Sequence, residues 1–296
     1  MTGKAFPWPT IDGRQPEWLG AGFRVGGAHV PVLVYDRSES GWSNGLTRMH
    51  EETAGEDHPI DRLSRRWASN AVARHLPHES PVLLEVGCSS GFLLRELHAR
   101  LPDATTIGSD FLKEPLDHLA TVVADIPLMQ FDLVRCPLPT ACVDAVILLN
   151  VLEHIDNDRE AMRQVVRILK PGGIAIIEVP AGPHLYDVYD EYLQHYRRYS
   201  SASLASLMSA VGLEVLRQSH LGCSVYPAFA IVKRRNRRAA DPAAKRRIVE
   251  SRIRQTRASV ALKQLLRLEG WLGRLCSFPF GIRCVAVGRK PLEPAT

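Results

Sequence analysis

The chain has 296 residues, 45% hydrophobic and 23% charged, so it can bury a sizeable core and has the composition of an ordinary water-soluble globular protein. No run approaches the roughly 18 uninterrupted apolar residues of a membrane span, and the opening "MTGKAFPWPT" lacks the zones of a secretion signal, so a cytoplasmic location is expected. The net charge of +5 is modest, and the six cysteines (Cys88, Cys136, Cys142, Cys223, Cys276, Cys284) form no CxxC pair or zinc spacing, which marks them as reduced thiols.

In chain order, residues 1–80 precede the first sheet strand. They include a helical pattern from Asp61 with apolar positions at Leu63, Trp67, Ala71, Val72 and Leu76. This segment is expected to cap the ligand edge of a sheet. From residue 82 short apolar runs alternate with helical patterns. The strands fall at 82–86, 105–109, 128–131, 144–149, 174–179, 213–219 and 283–288, with helices at 91–101, 113–123, 157–169 and 201–211. The "LKPGG" run stops the third of these helices, because proline cannot continue it and glycine supplies a positive φ. The pattern predicts an α/β fold with a seven-stranded, mostly parallel sheet. Its parts are an N-terminal cap (1–80), a core (81–222), a basic helical insertion (223–281), and a last strand and tail (282–296).

In such sheets ligands bind beyond the carboxyl ends of the strands, where the strand order reverses. A dinucleotide loop there needs G-x-G-x-x-G. Starting from Gly87, this chain has Ser89 and Phe92 at the second and third positions, which argues against a pyrophosphate ligand. The pattern present is acidic-x-Gly-x-x-x-Gly: Glu85, Gly87, Gly91. A zwitterionic ligand with an amino-acid end and no phosphate suits that loop. Asp110 ends the second strand, where a carboxylate can accept from two ribose hydroxyls, and Asp132 ends the third, within reach of an adenine amino group. Three carboxylates ending three consecutive strands are a stronger signal than the loop alone.

On "EVGCSSG", "GSDF", "QFDLVRCPLPTACVDAVILLNVLEHI" and "RILKPGGIAIIEVP", the chain resembles the class I S-adenosylmethionine-dependent methyltransferases over about residues 80–222. The resemblance implies a Rossmann-like fold and S-adenosyl-L-methionine as cofactor. It implies that Glu85, Gly87, Cys88, Ser89 and Gly91 line the methionine portion, and that Asp110 and Phe111 hold the ribose. Asp132 and Leu133 would contact adenine, and Asn150 and Val151 would lie near the transferable methyl. Ser89 stands where many members have glycine, which narrows the loop.

Methyl transfer from a sulfonium is an in-line displacement, so alignment and water exclusion carry most of the work, with a general base useful for a hydroxyl acceptor. His154, after the fourth strand, and His195, after the fifth, are the candidate bases. The run Asp190, Glu191, His195, Arg197, Arg198, Tyr199 is similar to one in a broad subset of these methyltransferases. It reads either as an ion-paired clamp that orders the loop, or as an acceptor wall in which Tyr192, Arg197, Arg198 and Tyr199 contact substrate. His50 and His58, in "HEETAGEDHPID", would close over the acceptor, or simply start a lid helix among solvated acids. The ubiquinone-pathway O-methyltransferases hold a divalent cation with an acid, two residues, then Glu-His. Here Asn150 replaces that acid, so no metal is expected.

The segment 233–275 is strongly basic and continues into the amphipathic "ALKQLLRLEGWLGRL". The basic part reads as a solvated face or as a contact for an anionic membrane or lipid-linked substrate, and the amphipathic part could pack on the domain, pair with a second subunit as a homodimer or lie on a membrane. Nucleic acid ranks last, because few aromatics interleave the charges. The expected activity is methyl transfer to oxygen or nitrogen of a small-molecule acceptor of natural-product or sugar type. A tRNA or lipid-quinone methyltransferase, and a cofactor-binding subunit without turnover, are the alternatives.

Overall fold

A computed structural model describes residues 6–36, 55–76, 80–236 and 260–292. Its centre is an eight-stranded sheet. In chain order the strands are β4 (Val32–Val34), β5 (Val82–Val86), β6 (Thr105–Asp110), β7 (Leu128–Gln130), β8 (Val143–Leu149), β9 (Leu169–Pro180), β10 (Glu214–Leu221) and β11 (Arg283–Arg289). They lie side by side as β10-β11-β9-β8-β5-β6-β7-β4. Only β11 runs against its neighbours; the β4–β7, β7–β6, β6–β5, β5–β8 and β8–β9 pairings are parallel. The strand order therefore reverses at β5, between β6 and β8, and the carboxyl ends of β5 to β8 meet at one edge.

The α/β class holds, but the expected count of seven strands is corrected to eight. The additional strand comes from the N-terminal segment: Val32, Leu33 and Val34 pair with Leu128, Met129 and Gln130. They cover the open edge of β7, which would otherwise present unpaired backbone groups. Before it, β1 (Glu17–Trp18), β2 (Phe23–Val25) and β3 (Ala28–Val30) form a small antiparallel sheet around Phe23, whose ring packs 4.9 Å from Trp8 and 4.8 Å from Trp18. The "LKPGG" run is not a simple turn between helix and strand. Leu169 already pairs with Val143 and Ile174 with Ala145, so residues 170–173 bulge out of an otherwise continuous ladder.

The helices are α1 (Pro59–His75), α2 (Phe92–Arg100), α3 (Lys113–Val122), α4 (Asp158–Ile168), α5 (Val188–Tyr192), α6 (Ser201–Ala210), α7 (Tyr226–Asn236) and α8 (Val260–Leu272). Side chains alternate across each strand, so the sheet builds two cores. Leu84, Val86, Val146, Leu148, Ala175 and Ile177 face one side with α4 and α6. Leu83, Ala145, Ile147, Ile174 and Ile176 face the other with α1 and α2. Local chemistry sets the helix starts. Asn157 Oδ1 accepts from Glu160 N at 3.1 Å ahead of α4, and reciprocal Ser200–Ser203 hydrogen bonds cap α6. Among the described residues no helix is long and apolar enough to cross a membrane.

Candidate active site

The carboxyl ends of β5 to β8 open into a cavity of about 1030 Å³, at the upper end of the roughly 300–1,000 Å³ usual for one ligand pocket. Its first wall is the loop after β5. Gly87 has φ of 73°, and a Cβ there would sit 2.6 Å from Val151 Cγ2, so the loop and the turn after β8 touch only because the side chain is absent. Ser89 also lies in the left-handed region, at φ 47°, which is why glycine is the easier residue at this position. Its N–H donates to Asp110 Oδ2 at 3.0 Å, fastening the loop to the end of β6. Gly91 starts α2 behind the loop and is not part of the cavity lining.

Asp110 Oδ1 also accepts from Leu112 N at 2.9 Å. These backbone bonds orient Asp110, which lines the cavity at the end of β6. Asp132 is fixed in the same way: Oδ1 accepts from Val134 N at 3.0 Å, and Arg135 reaches Oδ2 at 3.3 Å. Glu85 is buried, its Oε2 has no hydrogen-bond partner, and burial pushes its carboxyl well above the usual range, with Arg65 opposing. An orphaned buried carboxylate beside a loop that tolerates no Cβ at Gly87 fits the amino-acid end of a zwitterionic cofactor. Cys88, Phe111 and Leu133 fill the wall between the acids.

After β8, Asn150 sits at φ 56° and is held by Glu178, which takes its backbone N–H at 2.9 Å and its Nδ2 at 3.0 Å. Glu178 is fully buried and its Oε1 also accepts from Arg283 Nη1 at 2.7 Å. Arg283 pairs in turn with Asp61 at the start of α1, and His58 Nδ1 lies 2.8 Å from Asp61 Oδ2. The turn after β8 is thus wired to the N-terminal helix. Of the two histidines expected over the acceptor, His58 lines the cavity and His50 lies outside the described residues.

The far wall is a buried ionic cluster. Asp190 has no exposure; its Oδ1 accepts from His195 Nδ1 at 2.9 Å and Arg198 Nε at 2.7 Å. Its Oδ2 accepts from Lys233 Nζ at 2.9 Å and Asp187 N at 3.0 Å, and Lys233 also reaches Asp187 Oδ1 at 2.5 Å. Burial alone would raise the Asp190 carboxyl, but the His195 hydrogen bond and the Arg198 and Lys233 charges hold it far below the usual range. His195 is pushed below its ordinary value, chiefly by burial and also by the two cations, with Asp190 opposing. It is therefore neutral at pH 7.

His154 stacks edge-on against His195 with ring centroids 4.7 Å apart, and both line the cavity. Donor atoms of Glu153, His154 and His195 lie within 4.8 Å of one another, a spacing that could hold a cation. Glu153 is fully buried with both carboxylate oxygens unpaired, and burial pushes its carboxyl up to about 8.

Arg198 lines the cavity, but its guanidinium is committed to Asp190 and to the carbonyl of Ala181 at 2.9 Å. The expected acceptor contacts of Tyr192, Arg197 and Tyr199 are corrected, because none of them lines the cavity. Arg197 pairs with Asp156 and Asp158, and the Tyr199 hydroxyl donates to Asp158 Oδ2 at 2.7 Å. Both tie this segment to the start of α4 and so order the loop. Sequence reasoning missed Lys233, Glu178 and Arg283. Lys233 sits in a basic run that gives no sign of burial, and the other two read as strand residues. It also missed the apolar wall of Val225, Phe229, Val232 and Leu262 supplied by α7, α8 and the turn before α7.

A family model described as "Methyltransferase domain" matches residues 57–218. A demethylmenaquinone methyltransferase of Deinococcus radiodurans is 31% identical over 124 residues, covering 40% of this chain and 51% of that one, so the chain spans about half the length of this relative. Two solved structures share the fold. A protein assigned as a sarcosine dimethylglycine methyltransferase from Galdieria sulphuraria has a TM-score of 0.56 and 15% identity, covering 84% of this chain and 99% of its own. The [4+2]-cyclase SpnF has a TM-score of 0.55 and 16% identity, covering 86% of this chain and 100% of its own.

Proposed function

Because the chain belongs to the class I S-adenosylmethionine-dependent methyltransferase family, we propose that its cavity performs methyl transfer to an oxygen or nitrogen of a small acceptor with a largely apolar body. S-adenosylmethionine supplies an electrophilic methyl group on a sulfonium. Glu85 and the Gly87–Ser89 loop hold its amino-acid end, Asp110 its ribose, and Asp132 with Leu133 its adenine. Asn150 and Val151, fixed by Glu178 and by contact with Gly87, wall the place where donor and acceptor meet.

The observation that carries this reading is the His195–Asp190 pair facing three strand-end carboxylates across one cavity. Asp190 is ionised, so His195 carries its proton on Nδ1 and presents Nε2 as the basic atom. As the acceptor oxygen or nitrogen took the methyl group and the methyl–sulfur bond broke to leave a neutral thioether, the acceptor's proton would pass to Nε2. Asp190 then steadies the imidazolium without taking the proton, and the apolar wall keeps water from competing. Val225, Phe229, Val232 and Leu262 favour an acceptor of natural-product type over a sugar. His154 orients the His195 ring through their edge contact.

The test is a pair of measurements on one preparation: calorimetric titration with S-adenosylmethionine, and transfer of a labelled methyl group to candidate acceptors. Cofactor binding without transfer to any hydroxyl, amine or tRNA acceptor would leave a binding subunit instead. The unpaired oxygens of Glu153 favour one second reading, a divalent cation held by Glu153, His154 and His195 against the acceptor. Turnover that falls in EDTA and returns with Mg²⁺ or Mn²⁺ would select it; turnover indifferent to EDTA selects the base.

A further inference from the structure

The helices that wall the acceptor half of the cavity also carry most of the large hydrophobic residues exposed among the described residues. Of the twelve large hydrophobic residues exposed among the described residues, eight lie between 231 and 280, far more than that segment's share. On α8 and the turn after it, Leu265, Leu268, Leu272 and Leu275 recur at spacings of three, four and three, so they form one solvent-facing stripe. Trp271 (55% exposed) and the exposed Arg267 and Arg274 flank it.

The stripe is not the inward face of a loosely seated helix, because α8 has a second, buried face. Leu266 is buried, and Glu269 accepts from the backbone N–H groups of Gly222 at 2.6 Å, Cys223 at 3.0 Å and Ser224 at 3.0 Å. These bonds fix the helix rotation and leave the outer stripe in water. Leu262 of the same helix lines the cavity, as do Ala228, Phe229 and Val232 of α7, whose Ile231 is exposed.

Charge on the described residues identifies the occupant of this face: Arg267 and Arg274 are exposed beside the stripe, and the sequence leading into it is basic. Residues 233–267 hold 13 Lys or Arg against Asp241 and Glu250, a net +11. The rest of the chain has 24 basic and 30 acidic residues, a net −6. A second copy of the chain would set Arg267 and Arg274 against their own counterparts, whereas an anionic lipid surface complements both these exposed cations and the apolar stripe with its interfacial tryptophan.

We propose that the outer face of α8 rests on an anionic lipid bilayer, and that the cavity beneath takes as its acceptor an amphiphile with a long apolar tail drawn from that bilayer. The second half rests on the methyl-transfer reading above; the first does not. Tail and bilayer are then bridged by the same two helices, so the acceptor's polar end meets His195 while its tail lies along Phe229, Val232 and Leu262.

The test separates the two halves with variants at exposed positions, Leu268→Glu on the stripe and Ala228→Trp on the cavity wall, each checked for native circular dichroism. The wild-type protein should float with phosphatidylglycerol-containing vesicles at least about tenfold more than with pure phosphatidylcholine vesicles, and less as salt rises. Leu268→Glu should lose about tenfold or more of that binding while keeping its affinity for a dansyl-labelled long-chain fatty acid. Ala228→Trp should do the reverse. No preference for phosphatidylglycerol, or undiminished flotation of Leu268→Glu, overturns the surface. A dimer in solution that Leu268→Glu dissolves also overturns it. Failure of the fatty acid to bind the wild type overturns the acceptor class. Loss of S-adenosylmethionine binding by calorimetry would count against the methyl-transfer reading alone.

Discussion

Asp190 Oδ1 accepts a hydrogen bond from His195 Nδ1 at 2.9 Å, and the same carboxylate is closed on its other sides by Arg198 and Lys233. With Asp187 the cluster contains two carboxylates and two cations, so a neutral imidazole completes a buried group of zero net charge. That balance lets an ionised aspartate sit with no solvent exposure, and it fixes which nitrogen of His195 is basic.

Exchange of His195 for Ala is expected to lower kcat by about 10²–10⁴-fold with the calorimetric Kd for S-adenosylmethionine unchanged. The wild-type kcat should be flat around neutral pH and fall on the acid side, since His195 protonates below its ordinary value of 6.5. Asp190 acts as a positioning residue. Asp190→Asn removes the charge and weakens the hydrogen bond that favour the imidazolium, so the acid limb should move to lower pH while the plateau drops by about tenfold or more. An unmoved limb would separate His195 from the kinetics.

On the cofactor side, Asp110→Ala should weaken S-adenosylmethionine binding by about 30-fold or more, because two hydrogen bonds to a charged acceptor are lost with the fastening of Ser89. Ser89→Gly should leave the Kd within about threefold. The relief of a left-handed serine, roughly 1 kcal/mol, nearly cancels the chain entropy that glycine adds. Equal affinity in Asp110→Ala would remove the ribose assignment.

Glu153 makes stability depend on pH. Its folded pKa of about 8 lies above the unfolded value near 4.5, so between these values the folded state binds more protons and stability falls as pH rises. Glu153→Gln should therefore be nearly neutral at pH 5 and stabilising at pH 9, on the order of 3 kcal/mol, in urea melts run with EDTA. A constant difference between the two variants across this range would show that the carboxyl titrates normally.

Lys233→Met should destabilise the protein by about 3–5 kcal/mol, because it leaves Asp187 and Asp190 facing each other without their shared cation. Arg234→Met, one residue on and exposed, should cost less than about 0.5 kcal/mol. Equal urea midpoints for the two variants would show that the Lys233 contacts contribute no stability.

Much of this molecule is written locally. The period-two alternation of Leu83, Leu84 and Val86 assigns each to one of two cores, and the spacing of Glu85, Asp110 and Asp132 places three acids at the ends of adjacent strands. The three acids line one cavity, as do Asn150, Val151, His154 and His195. The acceptor wall was less legible. Arg197 and Tyr199 have the chemistry of a substrate contact, yet their partners Asp156 and Asp158 lie some forty residues earlier in the chain, and that pairing turns them away from the cavity. The edge strand Val32–Val34 was also hidden, since three apolar residues carry too little periodicity to declare a strand.

By itself the sequence determined the α/β class, the glycine loop after β5 and the strand-end carboxylates, because strand period, turn chemistry and the first residue after a strand are encoded within a few neighbouring positions. Only the tertiary structure decided that Lys233, in a run of cations, is buried against Asp187 and Asp190, 46 and 43 residues away. It alone joined Arg283 to Asp61 across 222 residues. Whether a charged side chain faces water or a partner depends on what distant segments bring to it, and no local pattern carries that information.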